Sequence, residues 1–386
     1  MCPHINTFTS GPASPQRMLQ ELLAKGRIDL CDAPLLYAAP PAFPSGPDWD
    51  RVEGMLLGVA IGDALGQRSE GMLPRERWAE FGEIRDYPVH ARAGYQAMGV
   101  PSDDSQMTFW TLEQLLEDGR LDPERLLEKF ASRRIKGIGG TVKAALDRFA
   151  EDGRPWYEAG VASAGNGALM RIAPLPVPYL RRPSADLWAD TAIAAMVTHN
   201  DAASTAACIA FVRMLWLLLS MESAPQPAWW LERYVEAAAP LEGDAHKYEP
   251  RGGAWAGAYE GPLWRSVQEK VSWAWERRIS VLEACNMWHS AAYLMETLPC
   301  ALYILMHHGH EPEEAIVRAV NDTKDNDTVA AIVGAAVGAL HGAKAMPERW
   351  RANLTGRTLA GGKHEGEDVD DRRIFELIDR ARARWG

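Results

Sequence analysis

The sequence predicts an all-α fold, and three observations carry that expectation. Apolar residues recur at three- and four-residue spacing in "SQMTFWTLEQLLEDG", "AASTAACIAFVRMLWLLLSM", "SAAYLMETLPCALYILMHHG" and "RRIFELIDRARARW". Clean two-residue alternation is scarce. Two segments also carry glycines four residues apart: Gly54, Gly58, Gly62 and Gly66, then Gly334, Gly338 and Gly342. On a helix this spacing gives one smooth stripe where another backbone can come close. A glycine inside a helix costs up to ~1 kcal/mol, so seven of them need a packing reason.

Composition narrows the function class. The chain has 386 residues, 47% of them hydrophobic, enough for one large domain or two modest ones. A net charge of -11 argues against nucleic acid or anionic lipid as a general partner. No apolar run reaches the ~18 residues of a membrane span, and "MCPHINTFTSGPASP" lacks the pattern of a secretory leader. Five scattered cysteines suit a reducing compartment better than a disulfide framework, so the expected location is cytoplasmic.

Residues 1–48 hold eight of the 25 prolines around one short amphipathic piece, "QRMLQELLAKGRIDL". They read as an appended arm, either a loosely ordered tail or a segment that docks on a partner. The main domain is expected over 49–386. It opens with the first glycine helix, "EGMLLGVAIGDALG", which ends near Glu70. Next, "PSDDSQMTFW" sets Ser102, Asp103 and Asp104 at a helix start, and "VNDTKDNDTV" sets Asp325, Asp327 and Thr328 at the start of the second glycine helix. Each group alone is readily explained as a helix cap. If the glycine helices cross antiparallel, however, acids from distant parts of the chain gather. Like charges so gathered repel unless a cation or proton intervenes, and oxygen donors without Cys or His suit a hard ion.

Three further helix starts are polar. "KGIGGTV" and "SAGNGALMRIAPLP" offer permissive glycine backbone at Gly137, Gly139 and Gly140 and at Gly165 and Gly167, which allows N–H groups to face an anion. Ordinary turns explain each of them equally well. "VTHNDAAS" adds His199 beside the capping candidates Thr198, Asn200 and Asp201. Between about 223 and 286 lies a stretch with six tryptophans among Pro and Gly, expected as an insertion whose aromatics are core or a recognition rim. A last linker, "AGGKHEGEDVDD", precedes the final helix.

Six segments in order, "GVAIGDALGQRSE", "SDDSQM", "KGIGGT", "SAGNGALMRIAPL", "THND" and "DNDTVAAIVGA", resemble the ADP-ribosylglycohydrolase family. The resemblance runs roughly from Val52 to Lys344 and leaves the arm and the Trp-rich stretch outside. It implies an all-α domain with a binuclear metal cleft, two Mg²⁺ with Mn²⁺ as the alternative, held by Ser102, Asp103, Asp104, Asp325, Asp327 and Thr328. By the same resemblance, Glu70, Asp103 and Asp327 are the catalytic candidates. Gly137, Ile138, Gly139, Ser163, Gly165, Asn166, Gly167 and His199 are the candidates for binding substrate. Two departures stand out: Thr323 and Lys324 occupy positions that are glycines in many relatives, and Ala164 stands where some carry an aromatic.

The implied activity is hydrolytic removal of mono-ADP-ribose from protein side chains, most simply from arginine, with serine-linked or small-molecule conjugates as alternatives. The implied partner is an ADP-ribosylated protein. A binding module that neutralises an ADP-ribosyltransferase toxin through residues 1–48 is the rival from another class. A di-metal phosphohydrolase is a third.

Overall fold

The computed structural model describes residues 14–90, 96–243, 246–359 and 370–386. Among them are seventeen α-helices and two short antiparallel ribbons, Val89–His90 with Gln96–Ala97 and Lys247–Tyr248 with Tyr259–Glu260. The all-α expectation holds, and no described helix is long and apolar enough to cross a membrane.

The two glycine helices, Trp49–Gly66 and Asn326–His341, form the centre. They run antiparallel with main chain against main chain. A Cβ added at Gly58 would lie 2.0 Å from the Gly334 carbonyl oxygen, one at Gly338 2.0 Å from that of Gly54, and one at Gly62 2.1 Å from that of Ala330. Nothing larger than hydrogen fits these places. The last step of the stripe brings Gly66 against Asp327, within 2.5 Å of its Cα for an added Cβ. The seam therefore ends where the second acidic motif begins. Both helices are buried over nearly their whole length, so neither shows the one-sided pattern of a surface helix.

The described part of the arm packs on this body. Pro15–Ala24 is a helix capped by Ser14, and Leu19, Leu22 and Leu36 are fully buried in the common core. Trp188 and Trp216 donate their indole N–H to the carbonyls of Ala38 and Pro41, at 2.7 and 2.8 Å. Asn200 accepts from the Asp29 amide and donates to the Arg27 carbonyl. Met1–Ala13, which the docking expectation includes, lie outside the described residues, as does most of the late linker.

The Trp-rich stretch folds mainly into the helices Pro227–Ala238, Leu263–Glu276 and Val281–Met287. Trp230 is buried, while Trp229, Trp255, Trp264 and Trp273 pack partly against the core. Trp275, 39% exposed, is the most open of the six.

Candidate active site

The helix Asp103–Asp118 begins beside the seam, and its start is fixed from the first glycine helix. Asp63, fully buried, accepts from the amides of Ser102 and Ser105 at 2.8 and 3.0 Å and from both hydroxyls at 2.5 Å. Ser102 makes no capping bond to its own helix. The N-terminal amides are instead capped in trans, by a carboxylate delivered across the interface. This anchors the first acidic motif to the helix that already sets the position of the second.

Two groups of carboxylates result. One oxygen each from Asp63, Asp104 and Asp327 lies within 4.8 Å of the others, and the same is true of Glu70, Asp325 and Asp327. Asp327 belongs to both. Asp104 is buried with Oδ1 lacking any partner, and its Oδ2 has only a long 3.5 Å contact from the Thr328 hydroxyl. Burial, then mutual repulsion, drives the acidity: Asp103 is pushed up to about 8, first by burial and then by Asp63. Asp104 and Asp327 lie well above the usual carboxylate range, each through burial first, and next through the charge of Asp327 on Asp104 and of Asp325 on Asp327. Asp325 rises only to about 6, because Asn166 donates to its Oδ2 at 2.6 Å. Glu70, exposed at the rim, is raised by partial burial of its carboxyl and by Asp325. An orphaned buried oxygen and an all-oxygen donor set with unbalanced negative charge fit a hard divalent cation.

The cleft above these acids has a volume of about 140 Å³. Glu70, Asp103, Asp104, Asp325, Asp327 and Thr328 share its lining with Gly137, Gly139, Gly165, Asn166, Gly167 and His199. Gly137, at φ +81°, adopts a backbone that favours glycine, and a Cβ there would sit 3.0 Å from Asp103 Oδ1. Gly165 and Gly167 pack directly on the His199 ring. Three sequence candidates do not line the cleft: Ser102 is turned to Asp63, Ser163 bonds the Thr141 hydroxyl at 3.0 Å, and Ile138 packs partly against the core.

A family model for ADP-ribosylglycohydrolase matches residues 45–384. The chain belongs to the ADP-ribosylglycohydrolase family. It is 27% identical over 317 residues to the ADP-ribosyl-[dinitrogen reductase] glycohydrolase of Rhodospirillum rubrum, covering 79% of this chain and 90% of that one. It is 26% identical over 312 residues to the ADP-ribosylarginine hydrolase Tri1 of Pseudomonas putida, covering 78% and 73%. A solved ADP-ribosylglycohydrolase-related protein complex superposes with a TM-score of 0.61 at 26% identity, over 86% of this chain and 98% of that one. The protein is thus an ADP-ribose-removing glycohydrolase by family.

Within this glycohydrolase, the loop before the second acidic motif does not depend on glycine. Thr323 has an ordinary extended φ of -121° and donates its hydroxyl to the Ala319 carbonyl. The buried Arg77 donates to the carbonyls of Thr323 and Asn321, at 2.7 and 3.2 Å. Ser290 accepts from the amides of Lys324 and Asp325, through its hydroxyl and its carbonyl. The Lys324 ammonium lies 3.4 Å from His289 Nε2. Asp322 faces Arg318 at 3.6 Å, outside the cleft.

Sequence reading missed two contributors. Asp63 was visible only as an acid on an otherwise small and apolar helix, a placement that calls for a buried partner. Arg251 lines the cleft from the Trp-rich stretch, with its guanidinium 5.6 Å from the Tyr293 ring centroid and its amide donating to the buried Glu296. No local motif announces it.

Proposed function

We propose that this glycohydrolase removes ADP-ribose from arginine side chains of modified proteins and uses two divalent cations, Mg²⁺ or Mn²⁺. The single observation that carries the reading is the pair of carboxylate groups sharing Asp327, set beneath glycine-rich loops in one cleft. Asp103, Asp104, Asp325, Asp327 and Thr328 are assigned as the cation-holding residues. Asp63 adds a carboxylate oxygen to one group while its hydrogen bonds hold the acid helix. When bound, such cations supply Lewis acidity toward a water and the ribose hydroxyls.

The chain's own groups perform the rest. Glu70, exposed and raised in pKa, accepts the proton of the attacking water, whose oxygen bonds the anomeric carbon as the bond to the side-chain nitrogen breaks. The leaving nitrogen takes up a proton in exchange with water, and Glu70 returns the one it accepted to solvent, so that one water is consumed overall. Positive charge that develops on the ribose is steadied by the carboxylates of Asp103 and Asp327. Amides of the Gly137–Gly140 and Ser163–Gly167 loops grip the diphosphate, remote from the bond that breaks.

The decisive measurement is release of free ADP-ribose from an arginine-ADP-ribosylated protein, with Mg²⁺ and with EDTA, and a serine-linked substrate in parallel. Mg²⁺-dependent release from arginine is expected. Release from serine alone would reassign the linkage, and release from neither would overturn the reading. The alternative, neutralisation of a toxin through residues 1–48, must contend with the burial of Leu19, Leu22 and Leu36. That role would fall to Met1–Ala13 or to the arm's outer face. The free thiols of Cys208, Cys285 and Cys300 support a cytoplasmic location.

A further inference from the structure

Arg171 is fully buried just beyond the Ser163–Gly167 loop, and no carboxylate pairs with it among the described residues. Its guanidinium lies 5.2 Å from the Phe130 ring centroid, and Nε and Nη1 have no hydrogen-bond partner. Burial lowers its pKa only to about 10, so the cation persists at neutral pH. A buried charge without a counter-ion is costly and calls for a reason.

The reason is legible in where the third nitrogen points. Nη2 donates to the Ala194 carbonyl at 2.7 Å and to the Thr198 hydroxyl at 2.8 Å. Guanidinium only donates, so Thr198 Oγ1 must accept there. The Thr198 hydroxyl is fully buried, and the acceptor within reach of its own proton is His199 Nδ1, at 2.9 Å. Nδ1 is then an acceptor, and the ring carries its proton on Nε2. In the opposite tautomer the Thr198 proton would have no acceptor, which costs ~1–3 kcal/mol. Burial and the nearby Arg171 also keep the ring from charging, holding it near 3. Nε2 has no protein partner among the described residues and lies along the edge of Gly165 and Gly167 in the cleft.

We propose that Arg171, acting through Thr198, is a positioning residue that fixes His199 as a neutral Nε2–H donor aimed at an oxygen of ADP-ribose. His199 is then a directional anchor for the ligand and transfers no proton. The ligand's identity rests on the function proposed above; the tautomer does not.

The test begins with the free protein. Long-range ¹H–¹⁵N NMR of the histidine rings at pH 7, with His199 assigned through His199→Gln, should show the Nε2–H form. Thr198→Val should mix the tautomers and Thr198→Ser should restore one. In calorimetry, Thr198→Val should weaken ADP-ribose binding about tenfold, the equivalent of one hydrogen bond. His199→Gln, whose amide N–H reaches toward the Nε2 position, should bind better than His199→Asn. An Nδ1–H ring in the wild type, or a Thr198→Val protein unchanged in both tautomer and affinity, overturns the proposal. If Thr198→Val fails to fold, the wild-type and Thr198→Ser spectra still decide. If the wild type binds no ADP-ribose, the functional reading fails while the spectra judge this one.

Discussion

The helix Asp103–Asp118 carries buried acids at both ends, and the two ends could hardly be treated more differently. Near its C-terminal end, Glu113 is surrounded by cations: Lys129 and Arg133 donate to it at 2.9 and 2.6 Å, and Arg373 from the last helix also donates. Despite its burial, these bonds hold it down to about 2. At the N-terminal end, Asp103 and Asp104 have no ion pair among the described residues, and burial followed by the neighbouring carboxylates raises them instead. One end balances its charge within the protein and ties the last helix down. The other leaves its charge unbalanced, as a site that takes a cation from solution must.

The largest test of this contrast is catalytic. Asp104→Asn or Asp327→Asn should lower turnover by about 10³-fold, several kcal/mol of transition-state stabilisation, while Tm in EDTA stays level or rises because one repelling charge is gone. A falling Tm in EDTA would place these acids with Glu113 as structural. Gly58→Ala comes next. Its methyl must push the two seam helices apart, at about 3 kcal/mol by chemical denaturation, and cation affinity should fall with it. Glu113→Gln should cost about 2 kcal/mol, discounted because Arg133 and Arg373 are partly exposed, with turnover of the folded enzyme unchanged.

The smallest effect is in pH, and its sign differs between the ends. Unfolded carboxylates titrate near ~4. In EDTA, Asp325 and Asp103 hold their protons in the folded state to about 6 and about 8, so the folded state binds more protons and stability falls as pH rises from ~4 toward 8. Bound cation removes that penalty, and the Tm gap between loaded and chelated protein should widen across this window. The Glu113 contribution runs the other way: it is full above ~4 and is lost as pH falls toward 2. A gap that stayed constant with pH would deny the cluster its cation.

Much of this site could be read before folding, because its acids stand at helix starts in short motifs and its seam repeats glycine every fourth residue. The antiparallel crossing follows from two matched stripes, since each helix alone has a face with nothing to bury but backbone. Asp63 and Arg251 were not legible in the same way. Their roles arise from contacts 39 and 42 residues away in one case, and from a segment with no periodic signal in the other. The arm's burial was also hidden: its short helix reads as amphipathic, but whether its apolar face meets this body or another is a tertiary fact. Thr323 shows the converse. A glycine-less loop looked like a departure, yet Arg77 and Ser290 hold it from outside in an ordinary conformation.

The glycine seam has a consequence for inheritance. Every codon one base away from a glycine codon encodes glycine again, a residue with a Cβ, or a stop, so each amino-acid change at Gly58, Gly334 or Gly338 drives an atom into a neighbouring carbonyl. Elsewhere in a core, a lost methyl in one residue can be offset by a gained one in another. Here the opposing surface is main chain, which no substitution can shrink. The gap between the two acidic motifs is therefore a gauge cut in the one part of a protein that mutation cannot trim.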